Sequence, residues 1–135
     1  MKVRLRGRIL VGGEVVGEAL VSREPISFYG GVKPESGLIV ERGHPLEGLK
    51  VSGKILVFPY GKGSTVGAYV LYAMAKYGTA PKAIINREAE PVVVAGCILA
   101  DIPLLDRFNL DPVEAISTGD IVRIRRDGNV EVFEG

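Results

Sequence analysis

The sequence predicts an α/β domain: a mixed sheet or squat, barrel-like β/β/α sandwich, with two main helices and antiparallel hairpins at both ends. Three observations predict this class. Strand-like and helix-like apolar runs alternate through the middle of the chain, hairpin patterns open and close it, and no stretch resembles a linker or low-complexity tail. Because 135 residues suffice for one hydrophobic core, residues 1–135 are expected to form a single domain.

The N-terminal part of the chain reads as a hairpin followed by loops. Apolar and basic residues alternate over residues 3–10, Gly12-Gly13 offers a flexible turn, and a second apolar run covers residues 14–22. Stretches rich in Gly and Pro then enclose a short strand candidate: the loops at residues 29–37 and 42–53, and the strand at residues 38–40.

The middle of the chain reads as strand, helix, strand, helix, strand. The predicted elements are, in order, residues 54–58, 65–77, 82–86, 89–99 and 102–106. Pro59 stops the first strand, and Gly78 stands where helices favour a left-handed C-terminal residue. Since strand-helix-strand units make parallel crossovers, these three strands are expected to be parallel. A closing hairpin is predicted from residues 121–125 and 130–133.

The composition argues against several classes of protein. Seventeen basic and sixteen acidic residues give a net charge of +1, and no stretch concentrates Lys or Arg, so nucleic acid is not an expected partner. The apolar runs fall short of the roughly 20 residues of a membrane helix, and basic residues recur too early for a signal peptide, so a cytoplasmic location is expected. The single cysteine cannot supply the thiolates of a zinc or iron–sulfur site, so any such metal must come from another chain.

The strongest candidate site is the turn Gly61-Lys62-Gly63-Ser64-Thr65, between a predicted strand and a predicted helix. Exposed N–H groups and the positive end of the helix dipole meet there, and Lys62 adds a charge, which suits a carboxylate or phosphate. Ser64 is then placed to contact the substrate. Helix capping by Ser64 or Thr65 explains the same residues, and the two roles are compatible. The lysine precedes the second glycine, so the turn lacks the spacing of a nucleotide-binding P-loop.

A second candidate is the glycine-rich loop at residues 30–37, which is long enough to fold over a ligand or a partner. Gly30, Gly31 and Lys33 are its candidate contacts with substrate or partner, and an ordinary surface loop is the alternative. The only histidine, His44, lies in a turn without Cys, Asp or Glu at ligand spacing, which favours a structural role, but it is kept as a candidate contact.

Three other residues with reactive or acidic side chains are weaker candidates. Cys97 lies in an apolar run, where a cysteine is typically a small buried hydrophobe, so we expect it in the core. Asp101 and Asp106 flank the last predicted strand of the middle region and are expected near the glycine turn, although Asp at a strand end is also common turn chemistry.

Five short motifs occur in order along nearly the whole chain. They are Pro25-Ile26-Ser27-Phe28-Tyr29-Gly30-Gly31-Val32, His44-Pro45-Leu46-Glu47-Gly48, Gly61-Lys62-Gly63-Ser64, Ala80-Pro81-Lys82-Ala83-Ile84 and the run from Gly96 to Leu105. Each motif is weak alone, but together they resemble the swivelling-domain small subunits of the aconitase X family. The resemblance implies a swivelling β/β/α domain that works as the small subunit of a heterodimeric hydro-lyase, that is, a dehydratase.

The resemblance also implies a division of labour between two subunits. A large subunit is expected to hold a 4Fe-4S cluster whose open iron polarises the departing hydroxyl. This chain is expected to bind no cofactor or metal, to be inactive alone, and to close over a small phosphorylated or carboxylated hydroxy acid. Ser64 matches the serine that accepts a proton from the carbon beside the carboxylate. The expected substrate-binding residues are Gly61, Lys62, Gly63 and Thr65.

Position 62 departs from the pattern of the family. Relatives often have arginine there, and a lysine lacks the planar, two-pronged grip that arginine offers a carboxylate. The role of Lys62 therefore stays open.

The substrate within the family is one of two. Archaeal members dehydrate (R)-mevalonate 5-phosphate to trans-anhydromevalonate 5-phosphate in the mevalonate pathway of isoprenoid synthesis, and bacterial members dehydrate 3-hydroxyproline. The separate small chain and the lack of Gln, a thermolabile residue depleted in hyperthermophiles, favour the archaeal substrate. A second function also stays open, in which the chain is a non-catalytic swivelling domain that binds an anionic metabolite at residues 61–65. A third alternative is a carrier domain that is phosphorylated on a histidine. Such domains have the histidine at the start of a helix, where this chain has Ser64, so this function is not favoured.

Overall fold

The computed structural model describes residues 1–135, which form ten strands and four helices. In chain order the elements are β1 (Val3–Arg6), β2 (Arg8–Val11), β3 (Val15–Val21), α1 (Phe28–Gly31), β4 (Val32–Lys33), β5 (Leu38–Ile39), β6 (Ile55–Phe58), α2 (Gly67–Tyr77), β7 (Ala83–Asn86), α3 (Pro91–Ala100), β8 (Leu104–Asp106), α4 (Pro112–Ala115), β9 (Ile121–Ile124) and β10 (Asn129–Phe133).

Eight of the strands form one mixed sheet in the order β1-β10-β9-β3-β6-β7-β8-β2, and β4 pairs with β5 separately. Only Gly7 separates β1 from β2 in sequence, yet these strands lie at the two ends of the sheet. The sheet must therefore curl until its ends approach each other, as in a nearly closed barrel. The predicted α/β class, with a mixed barrel-like sheet and two main helices, is confirmed.

The predicted N-terminal hairpin is wrong. β2 does not pair with β3 but antiparallel with β8, while β1 pairs with β10, and β3 lies between β9 and β6. The first predicted strand is divided at Gly7, where a Cβ would lie 2.5 Å from the Phe108 ring. Alternating apolar residues mark a strand correctly, but they do not specify its partner, and long-range packing selected strands from the other end of the chain.

The predictions for the middle and the end of the chain are confirmed. β3, β6, β7 and β8 are parallel neighbours, and β9 and β10 form the closing hairpin. Gly78 ends α2 with a φ of +77°. Two short helices, α1 and α4, were not predicted, although α4 has a recognisable start: the Asp111 carboxylate accepts the Val113 N–H, and Pro112 follows it.

The core has two apolar clusters that share β6. Ile55 and Val57 face the barrel interior with Val122 and Val130, whereas Leu56 and Phe58 face the layer of helices. The whole strand is buried for this reason. The chain that leaves β6 therefore starts from a firmly packed position.

Helices α2 and α3 pack side by side on the sheet. A Cβ on Gly96 of α3 would lie 2.5 Å from Leu71 Cδ1 and 3.2 Å from Ala68 Cα, so residue 96 must be small for the helices to approach. Both helices begin at the edge where the parallel strands end, which places the segment before α2 beside the start of α3.

Asp120 gives a test of stability against pH. It is buried, and its carboxylate accepts hydrogen bonds from Lys2 Nζ (2.7 Å) and Ser117 N–H (2.9 Å). Burial opposes the charged form, but these bonds outweigh it and lower the pKa of Asp120 below its usual 3.8. The stabilisation is therefore present above pH 3.8 and is lost as pH falls through the folded-state pKa.

Asp120→Asn is expected to lower the free energy of unfolding at pH 7 by about 2 kcal/mol, the scale of a hydrogen bond to a charged group. The difference from wild type should shrink when guanidinium denaturation is repeated at pH 3. This pH is below the usual pKa of 3.8, so the unfolded wild-type chain takes up a proton at Asp120 and the carboxylate contributes less to the free energy of unfolding. Glu35→Gln at an exposed site is the control. A difference that is the same at both pH values would contradict the assignment.

Candidate functional site

The glycine turn lies where the parallel strands end, between β6 and α2. Ile26 and Gly61 form a parallel bridge, and the Lys62 N–H donates to the Ile26 carbonyl at 3.0 Å. Ile26 itself is buried in the core. The start of the turn is thus anchored to the segment before α1.

Both glycines of the turn are in close contact with neighbouring segments. A Cβ on Gly61 would lie 2.5 Å from Val93 Cγ2 and 2.6 Å from Glu90 Oε1, at the start of α3. Gly63 has a φ of +90°, and a Cβ there would overlap the Ser27 hydroxyl. The shape of the turn therefore depends on glycine at both positions.

Ser64 is exposed, and its hydroxyl closes a local turn. Its Oγ accepts the Val66 N–H at 3.2 Å, and its carbonyl accepts the Gly67 N–H at 2.9 Å. The N-cap residue of α2 is Val66, without a side-chain cap, so neither Ser64 nor Thr65 caps the helix as the capping interpretation required. The Ser64 hydroxyl hydrogen has no acceptor in the chain and is free to interact with a ligand.

Three consecutive backbone N–H groups at the turn have no acceptor in the chain: those of Gly63, Ser64 and Thr65. All three residues are exposed. Adjacent free N–H groups before a helix N-terminus form a concave donor surface that favours an anion. The exposed N–H groups expected at this turn are therefore present, and the binding of an anion there stays a prediction.

Lys62 is held to one side of the turn by an ion pair with Glu41. The distance from its Nζ to Glu41 Oε2 is 3.0 Å, and both side chains are partly exposed. Glu41 was not predicted from the sequence, because no periodic spacing connects it to a lysine 21 residues later. The positive charge at the turn is therefore shared with a carboxylate.

Part of the second candidate loop lies beside the turn. A Cβ on Gly67 at the start of α2 would lie 3.7 Å from the Tyr29 nitrogen, and one on Gly31 would lie 3.4 Å from Glu41 Oε1. Gly30, with a φ of +82°, has open space around it. The structure therefore brings Gly30 and Gly31 to the site.

Lys33 lies farther along this loop. It belongs to β4, and the next residue, Pro34, accepts a hydrogen bond from Thr79, beyond the C-terminal end of α2. The strand thus leads away from the glycine turn along the helix, and Lys33 lies outside the cluster around Ser64.

His44 supports the backbone and has no ring nitrogen left for a ligand. Its ring is buried, Nδ1 accepts the Leu46 N–H at 3.0 Å, and Nε2 lies 3.0 Å from the Pro25 carbonyl. Because Nδ1 is an acceptor, Nε2 carries the hydrogen and donates it to Pro25. The geometry therefore supports the structural role of His44. It does not support the candidate contact between His44 and the substrate.

The two aspartates have structural roles. Asp106 is fully buried, receives two hydrogen bonds of 2.9 Å from Arg8 and accepts the Ala89 N–H at 2.8 Å. Asp101 ends α3 with a φ of +56°, at the end of the helix away from the turn. The expectation that Asp101 lies near the turn is therefore wrong. Both carboxylate oxygens of Asp106 are already hydrogen-bonded, so neither is free to bind a ligand.

Cys97 is part of the core, as predicted, and burial raises the pKa of its thiol to about 12. The thiolate fraction at pH 8 is then about one in ten thousand, so a thiol-specific reagent is expected to label the native chain extremely slowly. Labelling of the same sample in guanidinium, where the thiol is exposed, should be complete within minutes. Rapid labelling of the native chain would show that Cys97 is accessible and reactive.

Four exposed, largely apolar side chains belong to the turn's flanking residues or to the neighbouring segments. They are Tyr29, Tyr60, Val66 and Tyr69, of which Tyr69 is 67% exposed. Groups of exposed aromatic residues of this kind often mark an interaction surface.

No three His, Cys, Asp or Glu side chains of the chain converge in a way that suits a metal ion. None of the helices has the length and apolar character needed to cross a bilayer.

Comparison with known proteins shows the family of the chain. Residues 4–132 match the family model described as the aconitase X swivel domain. The chain is 50% identical over 133 residues to the phosphomevalonate dehydratase small subunit of Thermococcus kodakarensis, with 98% of each chain covered. It is 51% identical to the protein of that name from Methanopyrus kandleri, with 96% of each covered. The match to the one from Methanosarcina acetivorans is 47%, covering 98% of this chain and 92% of the relative.

Solved structures agree with the sequence comparisons. The crystal structure of Thermococcus kodakaraensis aconitase X in its holo-form superposes with a TM-score of 0.92 at 50% identity, covering 98% of this chain and 99% of that one. A solution structure described as a UPF0107 protein gives 0.88 at 46% identity. The swivelling fold implied by the resemblance is confirmed, and the chain belongs to the aconitase X swivel domain family.

Proposed function

We propose that this chain is the small subunit of a phosphomevalonate dehydratase that removes water from (R)-mevalonate 5-phosphate in the archaeal mevalonate pathway. The observation that carries the proposal is the 47% to 51% identity, over nearly the whole chain, to archaeal proteins of that name. The free N–H groups at residues 63–65 support it independently, because both the phosphate and the carboxylate of this substrate are anions.

Ser64 is proposed as the proton acceptor. Ser64 reacts as its alkoxide, after its own hydrogen has passed to solvent. The proton on the carbon beside the substrate carboxylate then moves to Oγ, and the electron pair of that C–H bond forms the double bond as the C–O bond breaks and hydroxide leaves. A serine is a weak base unless its alkoxide is stabilised. The Val66 N–H that donates to Oγ and the start of α2 both favour the negatively charged oxygen.

The large subunit is proposed to dock over the turn and supply the rest of the active site. The name shared by the relatives implies such a partner. The exposed side chains of Tyr29, Tyr60, Val66 and Tyr69 offer an apolar border around Ser64 that a partner would bury. The turn would then contact substrate through the backbone of Gly61, Gly63 and Thr65 and through the ammonium of Lys62. Gly30 and Gly31 lie beside it.

The groups that act on the departing hydroxyl are proposed to belong to that partner. This chain has one cysteine, buried and with a raised pKa, so its residues do not fit a 4Fe-4S cluster. We therefore assign the cluster to the large subunit and expect the small subunit alone to be inactive. Because membranes retain phosphorylated metabolites, a cytoplasmic location is proposed for the complex.

The test is reconstitution of the two subunits. The chain, the large subunit and the mixture are each assayed with (R)-mevalonate 5-phosphate and with 3-hydroxyproline, following the new carbon–carbon double bond. Only the mixture should be active, and only with the phosphorylated substrate. Turnover of 3-hydroxyproline instead would reassign the substrate. Tight binding of an anionic metabolite by an otherwise inactive mixture would favour the non-catalytic domain.

A further inference from the structure

The ion pair between Lys62 and Glu41 connects the glycine turn to a segment far away in sequence. Lys62 follows Gly61 on the exposed side of the turn, and its Nζ lies 3.0 Å from Glu41 Oε2. The side chain of Lys62 is 46% exposed and that of Glu41 is 30% exposed. Solvent reaches the pair, so the ammonium is open to a second anion.

The backbone around Gly31 fixes the position of Glu41. The Val40 N–H donates to the Gly31 carbonyl at 2.9 Å, immediately before Glu41. The second carboxylate oxygen of Glu41 lies 3.4 Å from the position that a Cβ on Gly31 would occupy. The carboxylate is thus placed against a backbone segment that itself borders the turn, and it holds the Lys62 ammonium there.

We propose that Glu41 is a positioning residue, which holds the Lys62 ammonium in place for an anionic group of the substrate. The inference rests on the proposed function, in which Lys62 contacts the substrate. A free lysine side chain samples many rotamers, and the ion pair restricts them before the substrate arrives, which reduces the entropy lost on binding. Because the pair is partly exposed, the effect on KM should be modest, roughly two- to fivefold.

A double-mutant cycle in the reconstituted complex tests the proposal. Glu41→Gln keeps the shape of the side chain but removes its charge, and it should raise KM for (R)-mevalonate 5-phosphate roughly two- to fivefold with kcat nearly unchanged. Glu41→Asp, which keeps the charge, should recover part of the loss. In a Lys62→Gln background, Glu41→Gln should have no further effect, because the group that it positions is gone.

The chain offers a matched control. Glu18 and Lys54 form a similar partly exposed pair at 2.8 Å, near the N-terminal end of β6 and so away from the turn. Glu18→Gln should leave KM unchanged. A KM increase from Glu41→Gln that persists in the Lys62→Gln background would show a purely structural role and overturn the proposal. A fall in KM would also overturn it, because Glu41 would then be a competitor of the substrate.

A second measurement separates this proposal from the proposed function. The isolated chain is titrated with inorganic phosphate, and the backbone amide shifts of residues 63–65 are followed by NMR. Glu41→Gln should weaken phosphate binding roughly two- to fivefold relative to Glu18→Gln, whether or not the complex is a dehydratase. Equal affinities in the two variants would overturn the positioning role. Failure of the dehydratase assay alone would overturn only the proposed function.

Discussion

Replacement of Ser64 by alanine in the reconstituted complex is expected to lower kcat by about a thousandfold, within the range that a general base contributes. The substitution removes the oxygen that receives the proton. It leaves the backbone N–H groups of residues 63–65 available, so KM should change little. The measurement is steady-state dehydration of (R)-mevalonate 5-phosphate, with size-exclusion chromatography to show that the variant still binds the large subunit.

Ser36→Ala is the matched control for this experiment. The Ser36 Oγ accepts the Leu38 N–H at 3.2 Å, the same local arrangement and distance that Ser64 has with Val66. Both variants thus lose the same type of hydrogen bond, from a backbone N–H to a serine hydroxyl two residues earlier. Ser36, however, lies before β5 and away from the proposed site. If Ser64→Ala retains near-wild-type turnover, the proton acceptor must be another group.

The sequence predicted the local structure around the turn well, because the signals for it lie close together in the chain. The glycine turn, the helix after it and the left-handed Gly78 follow from residue types within a few positions of one another. The start of α2 was misplaced by two residues. Before the first α-helical bond the chain forms tight turns, in which the Gly67 N–H binds the Ser64 carbonyl and the Ala68 N–H binds the Thr65 carbonyl. Helices often begin with such turns, and their first residue is hard to predict from sequence.

The missed features depend on contacts between distant segments. The partner strands of β1 and β2 lie near or beyond residue 104, so the nearby Gly12-Gly13 turn was a misleading signal. Glu41 reaches Lys62 only because the chain around Gly31 brings it there. Ser27 was part of a recognised motif, but its contact with Gly63 appears only in the folded chain.

That contact leads to the second large expected effect, from Gly63→Ala. The φ of +90° is unfavourable for alanine, and the added methyl would overlap the Ser27 hydroxyl, so the turn must move away from the segment before α1. Displacement of a catalytic group by about 1 Å can reduce turnover about a hundredfold, and we expect a loss of that size in the dehydratase assay.

The overlap with Ser27, rather than backbone strain, is what should reduce turnover, and Gly119→Ala separates the two causes. Gly119 has a φ of +96° with no atom within 4 Å of an added Cβ, so its replacement introduces similar strain without a steric clash. Both variants should lose about 1–3 kcal/mol of unfolding free energy, but only Gly63→Ala should lose turnover. If Gly63→Ala stays active, the exact path of the turn is unimportant for placing Ser64. If Gly119→Ala is equally inactive, the loss must follow from reduced stability, because strain is the one feature that the two variants share.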